Sequence, residues 1–253
     1  MTADAAALEP PRIGLAGWGM LAFRLTLIIG LLIVCVPFHL LWRMFRLPRF
    51  WPRIFLSGVG ALSGLHIKRI GRATRGSLLI SNHVSWLDIP ALAEASGSAF
   101  VAHDGLSEFS LLKWLCEMND TVFVARNRRT NVAEQADNIR TAIDNGGTLT
   151  LFPEGTTSDG TGLLPFKSAL LSAFEPLPDG VSVQPVLLAY HDAPHISWVG
   201  DEPGLDNFKR VLARYRPIKL DIHFLEPLSG EALTDRKSMA AASHASIQRA
   251  MTL

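Results

Sequence analysis

Two rhythms of apolar and polar positions divide this chain. From Leu25 to Leu41 seventeen residues pass without a formal charge, centred on Leu27-Ile-Ile-Gly-Leu-Leu-Ile-Val-Cys-Val36. After Gly64 the pattern shortens. Apolar runs near 77–80, 99–102, 121–124, 148–152, 181–190 and 218–224 have the length and bounding residues of strands. Helical spacing lies between them. It is clearest over Asn131 to Asn145, where Val132, Ala136, Ile139 and Ile143 share a face and Gly146-Gly147 is the stop. Trp86 to Ala95 reads as a further helix, and the Ala/Ser-rich stretch Ser238 to Met251 as a short one. Strands alternating with helices predict an α/β domain: a mixed sheet flanked by helices, preceded by an N-terminal hydrophobic, membrane-anchoring helical segment. The predicted division is 1–64 for tail and anchor and 65–253 for the folded domain.

The long apolar run admits three structures. Seventeen residues is the lower limit for a spanning helix, with Arg24 marking its start and Pro37 and His39 weakening its end. A monotopic or re-entrant helix paired with Phe50 to Gly64 fits as well. A buried helix of a soluble domain fits least, because Arg43, Arg46, Arg49 and Arg53 follow the run and Trp42 and Trp51 suit a headgroup interface. A cleaved signal peptide is disfavoured by Asp4 and Glu9 and by the lack of a small-residue cleavage site. By the positive-inside rule the arginines face the cytoplasm, and so does the domain that follows. The implied location is the inner membrane of a bacterium.

Charge and cysteine content narrow the chemistry. With 253 residues and a net charge of +1 there is no global signal for nucleic acid. The two cysteines, Cys35 and Cys116, have neither disulfide nor zinc spacing and read as apolar fillers. No H-E-x-x-H, G-x-S-x-G or phosphate-loop pattern occurs, so no metal, serine esterase elbow or nucleotide cofactor is expected. His191 and His195 read as loop histidines.

Two stretches carry chemistry. Ser81-Asn-His83-Val-Ser-Trp-Leu-Asp88 follows one predicted strand, and Phe152-Pro-Glu154-Gly155-Thr156-Thr157 follows another. A histidine whose partner is a carboxylate is a general base for a hydroxyl. Five residues along a helix is about 500°, so His83 and Asp88 would not share a helical face. They converge only with His83 in the turn and Asp88 in the first turn of the helix. Taken alone, the same text also describes a helix capped by Asn82 or Ser85 beside a surface histidine.

Together the two blocks resemble the glycerolipid acyltransferases, whose best-known members are 1-acylglycerol-3-phosphate acyltransferases. Val122-Phe-Val-Ala-Arg126 is similar to that family's second block and Val183-Gln-Pro185-Val-Leu-Leu188 to its fourth, so the likeness covers roughly 78–190. The resemblance implies His83 as base and Asp88 as its orienting partner. It implies Arg126 as a phosphate-binding fork, with Arg128 and Arg129 as neighbours of the same charge. Glu154 binds acceptor hydroxyls or supports its loop. Gly155 lets backbone approach the ligand, and Thr156 donates to phosphate or hydroxyl or caps a turn. Lys167 is placed near the donor phosphates. The partners implied are a lysolipid acceptor, acyl-CoA or acyl-carrier protein as donor, and membrane lipid, with no resident cofactor. The expected acceptor is 1-acylglycerol-3-phosphate, giving phosphatidic acid.

Some positions depart from the family. His103 stands where a lysine is usual, and Lys113 and Asp120 lie where glycines are common. The string from Leu151 to Gly160, with Leu164-Pro-Phe-Lys-Ser-Ala-Leu170, also looks like the branch that acylates lyso-ornithine lipid. A catalytically inactive lipid-binding protein is the alternative of another class.

Overall fold

The computed structural model describes residues 13–45, 47, 50–103, 110–124, 143 and 147–252. Arg126, Arg128, Arg129, Arg46, Arg49 and most of the helix expected over Asn131 to Asn145 lie outside them. Among the described residues the helices are α1 (Leu15–Met44), α2 (Trp51–Leu62), α3 (Asp88–Ser96), α4 (Ser110–Met118), α5 (Gly204–Leu212) and α6 (Arg236–Met251). The strands are β1 (Leu65–Ile70), β2 (Ser77–Ser81), β3 (Ala99–His103), β4 (Val122–Val124), β5 (Leu149–Leu151), β6 (Ser182–Tyr190) and β7 (Ile218–Phe224).

The apolar run is longer than the sequence pattern predicts. α1 spans 30 residues, about 45 Å at 1.5 Å per residue. By length and composition it is able to cross a membrane, with mean hydropathy 2.4 and little of it covered. Arg24 does not mark its start. Its guanidinium donates to Leu212 O at 3.0 Å and Arg214 O at 2.8 Å, so the C-terminal carbonyls of α5 absorb the charge. Nor does Pro37 end the helix. Phe38 stacks on Trp51 at 4.9 Å and Trp42 meets the same ring edge-on at 6.3 Å, which holds the last turns against α2. α2 begins with Trp51-Pro52, where proline loses nothing because its N–H would be unpaired anyway. It lies so close along α1 that a side chain on Gly58 would strike Leu31.

The domain is a seven-stranded mixed sheet in the order β1-β7-β6-β2-β5-β3-β4. β6, β2, β5, β3 and β4 run parallel, while β7 is antiparallel to β6 and carries β1 parallel to itself. The six expected strands are present. β1 is the addition: an edge strand holding Lys68 and Arg69, mostly exposed, whose polar text hides it. Central β2 is buried throughout, and its alternate residues serve two cores. Leu79 packs with Leu87, Ala91 and Leu92 on the α3 side. Leu78 and Ile80 pack with Leu171, Phe174 and Met239 on the other. Register places Ile80 of β2 beside Leu151 of β5 and Ser81 beside Val186 of β6. Loops leaving β2, β5 and β6 therefore emerge together at one edge.

Candidate active site

His83 and Asp88 meet at that edge. β2 ends at Ser81, the chain turns through Asn82, and α3 opens at Asp88. His83 Nδ1 lies 2.7 Å from Asp88 Oδ2. The same oxygen accepts from Val84 N at 2.7 Å and Ser85 N at 3.0 Å, and Oδ1 accepts from the Tyr190 hydroxyl at 2.6 Å. Asp88 is fully buried, so four donors replace the water it has lost. This fixes the imidazole with Nδ1 toward the carboxylate. Nε2 has no hydrogen-bond partner among the described residues, and the ring lines a cavity. Phe152 stacks on the imidazole at 4.2 Å and limits its rotation.

The bland alternative for this text does not describe the structure. Asn82 does not cap α3. Its amide donates to Leu188 O at 3.1 Å and its carbonyl accepts from Leu188 N at 2.8 Å, which pins the turn to β6. Ser85 Oγ accepts from Leu87 N at 3.3 Å within the turn.

The loop after β5 braces His83. Glu154 is 1 % exposed, and its two oxygens accept from His83 N and Leu164 N, each at 3.3 Å. Of its two expected duties, binding acceptor or supporting the loop, the geometry displays the second. Burial drives its carboxyl up to about 7, against the hydrogen bonds that favour the charged form. Ser158 completes the brace: its N–H reaches His83 O at 2.7 Å and its hydroxyl the same oxygen at 3.1 Å. Gly155 has φ +68°, and a Cβ there would stand 3.1 Å from Lys167 Nζ and 3.2 Å from Leu170. Only glycine fits that turn without strain. Gly155 and the exposed Thr156 both line the cavity. Thr157 donates to Trp198 O, and Trp198 N donates to Val84 O at 3.0 Å, so a third loop closes on the histidine turn.

The cavity measures about 910 Å³. Its wall is mostly apolar: Leu32 and Val36 of α1, Phe55 and Leu56 of α2, then Ile89, Phe100, Leu151 and Phe152. Cys35 and Cys116 also face it, as fillers. Among the described residues no group of metal ligands forms. His191 and His195 lie elsewhere, paired with Asp221 and Asp192. The strand bearing His103 ends at this edge of the sheet.

Tyr190 is the residue of this site that motif reading misses. It closes β6 in step with Val186 and Leu188, all on the α3 face. Strand parity was the available signal. Burial and the neighbouring carboxylate drive its hydroxyl well above the usual range, so it stays a donor.

Residues 65–189 match the family model described as Acyltransferase. The chain is 34% identical over 236 residues to a lyso-ornithine lipid O-acyltransferase of Brucella abortus, covering 84% of this chain and 86% of that one. The chain belongs to the acyltransferase family. It is an O-acyltransferase. A 1-acyl-sn-glycerol-3-phosphate acyltransferase of Neisseria gonorrhoeae is 36% identical over 140 residues, or 53% of this chain and 54% of that one. The crystal structure of the acyltransferase PlsC from Thermotoga maritima shares the fold, with a TM-score of 0.66 at 21% identity over 92% of this chain and 94% of that chain.

Proposed function

We propose that this acyltransferase esterifies the free hydroxyl of lyso-ornithine lipid, at the cytoplasmic face of a bacterial inner membrane. One observation carries the chemistry: the His83–Asp88 pair opens through Nε2 onto a large apolar cavity. Nε2 takes the proton of the acceptor hydroxyl as its oxygen attacks the thioester carbonyl of acyl-CoA or acyl-carrier protein. Asp88 stabilises the imidazolium that forms. The tetrahedral intermediate collapses, the carbon–sulfur bond breaks, and the imidazolium returns its proton to the thiolate. Both reactants are present together, so no covalent acyl-enzyme forms. The apolar cavity suits a fatty chain, and α1 with α2 supplies both its wall and the contact with the bilayer.

Support for the acceptor comes from the Brucella relative, which spans most of both chains. The acceptor expected from the motifs, 1-acylglycerol-3-phosphate, is the second reading. The Neisseria relative favours it, at similar identity but over about half of each chain. In either case Arg126, outside the described residues, is the proposed fork, for a phosphate or for the ornithine carboxylate. Thr156 is proposed to donate to the same headgroup.

The test is purified full-length protein with labelled acyl donors and both lysolipids at matched concentration. Faster esterification of lyso-ornithine lipid is expected. Preference for lysophosphatidate would move the assignment to the second reading, and hydrolysis of donor with no ester formed would remove both.

A further inference from the structure

A second cavity, of about 660 Å³, opens at the edge where β2 and β5 begin, opposite the edge that carries His83. Among the described residues its wall holds four arginines, Arg53, Arg69, Arg72 and Arg75, and no carboxylate. Two of them converge on one atom. Arg53 donates to Glu94 O at 3.0 Å, and Arg69 Nη2 lies 3.5 Å from the same oxygen and 3.2 Å from Glu94 Oε1. Gly97 leaves room beside them, since a Cβ there would stand 3.3 Å from Arg53 Nη1.

The loop that carries Arg72 and Arg75 is tied down. Gln184, 3 % exposed, donates to Arg72 O at 3.0 Å and accepts from Thr74 N at 2.8 Å. Ser77 Oγ donates to Thr74 O at 2.7 Å. No hydrogen bond or ion pair among the described residues engages the guanidiniums of Arg72 and Arg75.

Helix capping does not account for so much charge. The carbonyl end of α3 supplies about half a negative charge and Glu94 one more, which offsets fewer than two of the four cations. Like charges held in a fixed groove attract an anion, and the arginine fork matches the oxygens of a phosphate. The volume is that of a small-molecule site. The rim points to the source of the phosphate. Phe50 and Ile54 flank Arg53 at the start of α2, Ile70 follows Arg69, and all three are exposed. Apolar side chains beside a basic groove suit a headgroup whose chains stay in a bilayer.

We propose that this groove binds the phosphate of a net-anionic membrane phospholipid, so that the folded domain grips the bilayer at the edge opposite the candidate active site. This rests on the bilayer contact assigned above to α1 and α2.

Full-length protein in neutral detergent micelles is titrated with dihexanoyl phosphatidylglycerol or dihexanoyl phosphatidylcholine, and binding is read from the rise in Tm. Phosphatidylglycerol should bind at least about 10-fold more tightly, by an amount that shrinks as salt rises. Arg72→Gln combined with Arg75→Gln should remove the preference and leave acyl transfer in neutral micelles unchanged. Lysine at both positions should restore part of it. Equal binding of the two lipids, or a preference that survives the double glutamine variant, overturns the site. Inorganic phosphate and coenzyme A are the soluble arms, and either one binding as tightly as phosphatidylglycerol overturns the lipid assignment. Flotation with phosphatidylcholine vesicles checks the reading beneath: a protein that stays in the dense fraction has no bilayer contact, and the lipid source falls with it.

Discussion

The two ends of this molecule treat buried polarity in opposite ways. At the edge of the sheet Asp88 receives four donors and Glu154 two, and Asn82 is paired on both sides of its amide. In the α1–α2 pair, Phe23, Ile33, Val34, Leu41 and Met44 are exposed, while the buried nitrogens of His39 and Trp51 have no hydrogen-bond partner among the described residues. The first region is stabilised by groups it already contains. The second carries its apolar side chains outward and leaves those buried nitrogens unmatched. A preorganised base needs the former arrangement, since a loose imidazole loses both tautomer and aim. A lipid-binding wall suits the latter.

Removing residues 1–56 should break this contrast most completely. It takes away α1 and the start of α2, hence one wall of the cavity. We expect an aggregated, inactive chain, checked by size exclusion and acyl transfer. A monodisperse active remnant would show that the wall is dispensable.

Substituting the base comes next. His83→Ala should lower turnover at least about 10²-fold, the scale of general-base loss. It also takes one of four donors from Asp88, so unfolding should shift by up to about 1.5–3 kcal/mol, less as water reaches the partly exposed position. Near-normal turnover would take His83 out of the mechanism.

Tyr190→Phe tests whether the matched end depends on every match. It leaves Asp88 Oδ1 without its donor, and hydrogen bonds to charged groups contribute about 1.5–3 kcal/mol. Unfolding should move by that order, and turnover should drop about tenfold as the carboxylate shifts. Unchanged values for both would make the bond incidental.

The smallest effect is a slope. Burial raises Glu154 from 4.5 to about 7, so the folded state holds its proton where the unfolded chain has released it. Stability should then fall as pH rises from about 4.5 to about 7, and level off above. Glu154→Gln should lie lower at acid pH yet lack that slope, as read by thermal melts across the window. The same slope in both proteins would assign it to another group.

The matched end was also the more legible one. His83, Asp88 and the Phe152–Thr157 loop are written as contiguous text after apolar runs, so their meeting followed once strands were placed. Tyr190 was not, because its role arises only from β6 lying beside β2. β1 leaves little signal in the sequence, since an edge strand needs few apolar residues and Lys68 and Arg69 mask it. α1 runs longer than its local pattern suggests for a related reason. A charge at Arg24 ends a hydrophobic run on paper, whereas in the fold carbonyls from more than 180 positions away receive it. What stayed hidden were relations between distant segments, which local pattern does not record.

That arginine has a practical consequence. Leu212 and Arg214, which it grips, close the helix that follows the Trp198 loop, and Trp198 is tied to the histidine turn. α1 and the candidate active site are thus joined by a short run of bonds. A version with a less apolar surface is therefore better made by repainting than by trimming: polar side chains set on the exposed face of α1, with Arg24 and the cavity-facing residues left as they are.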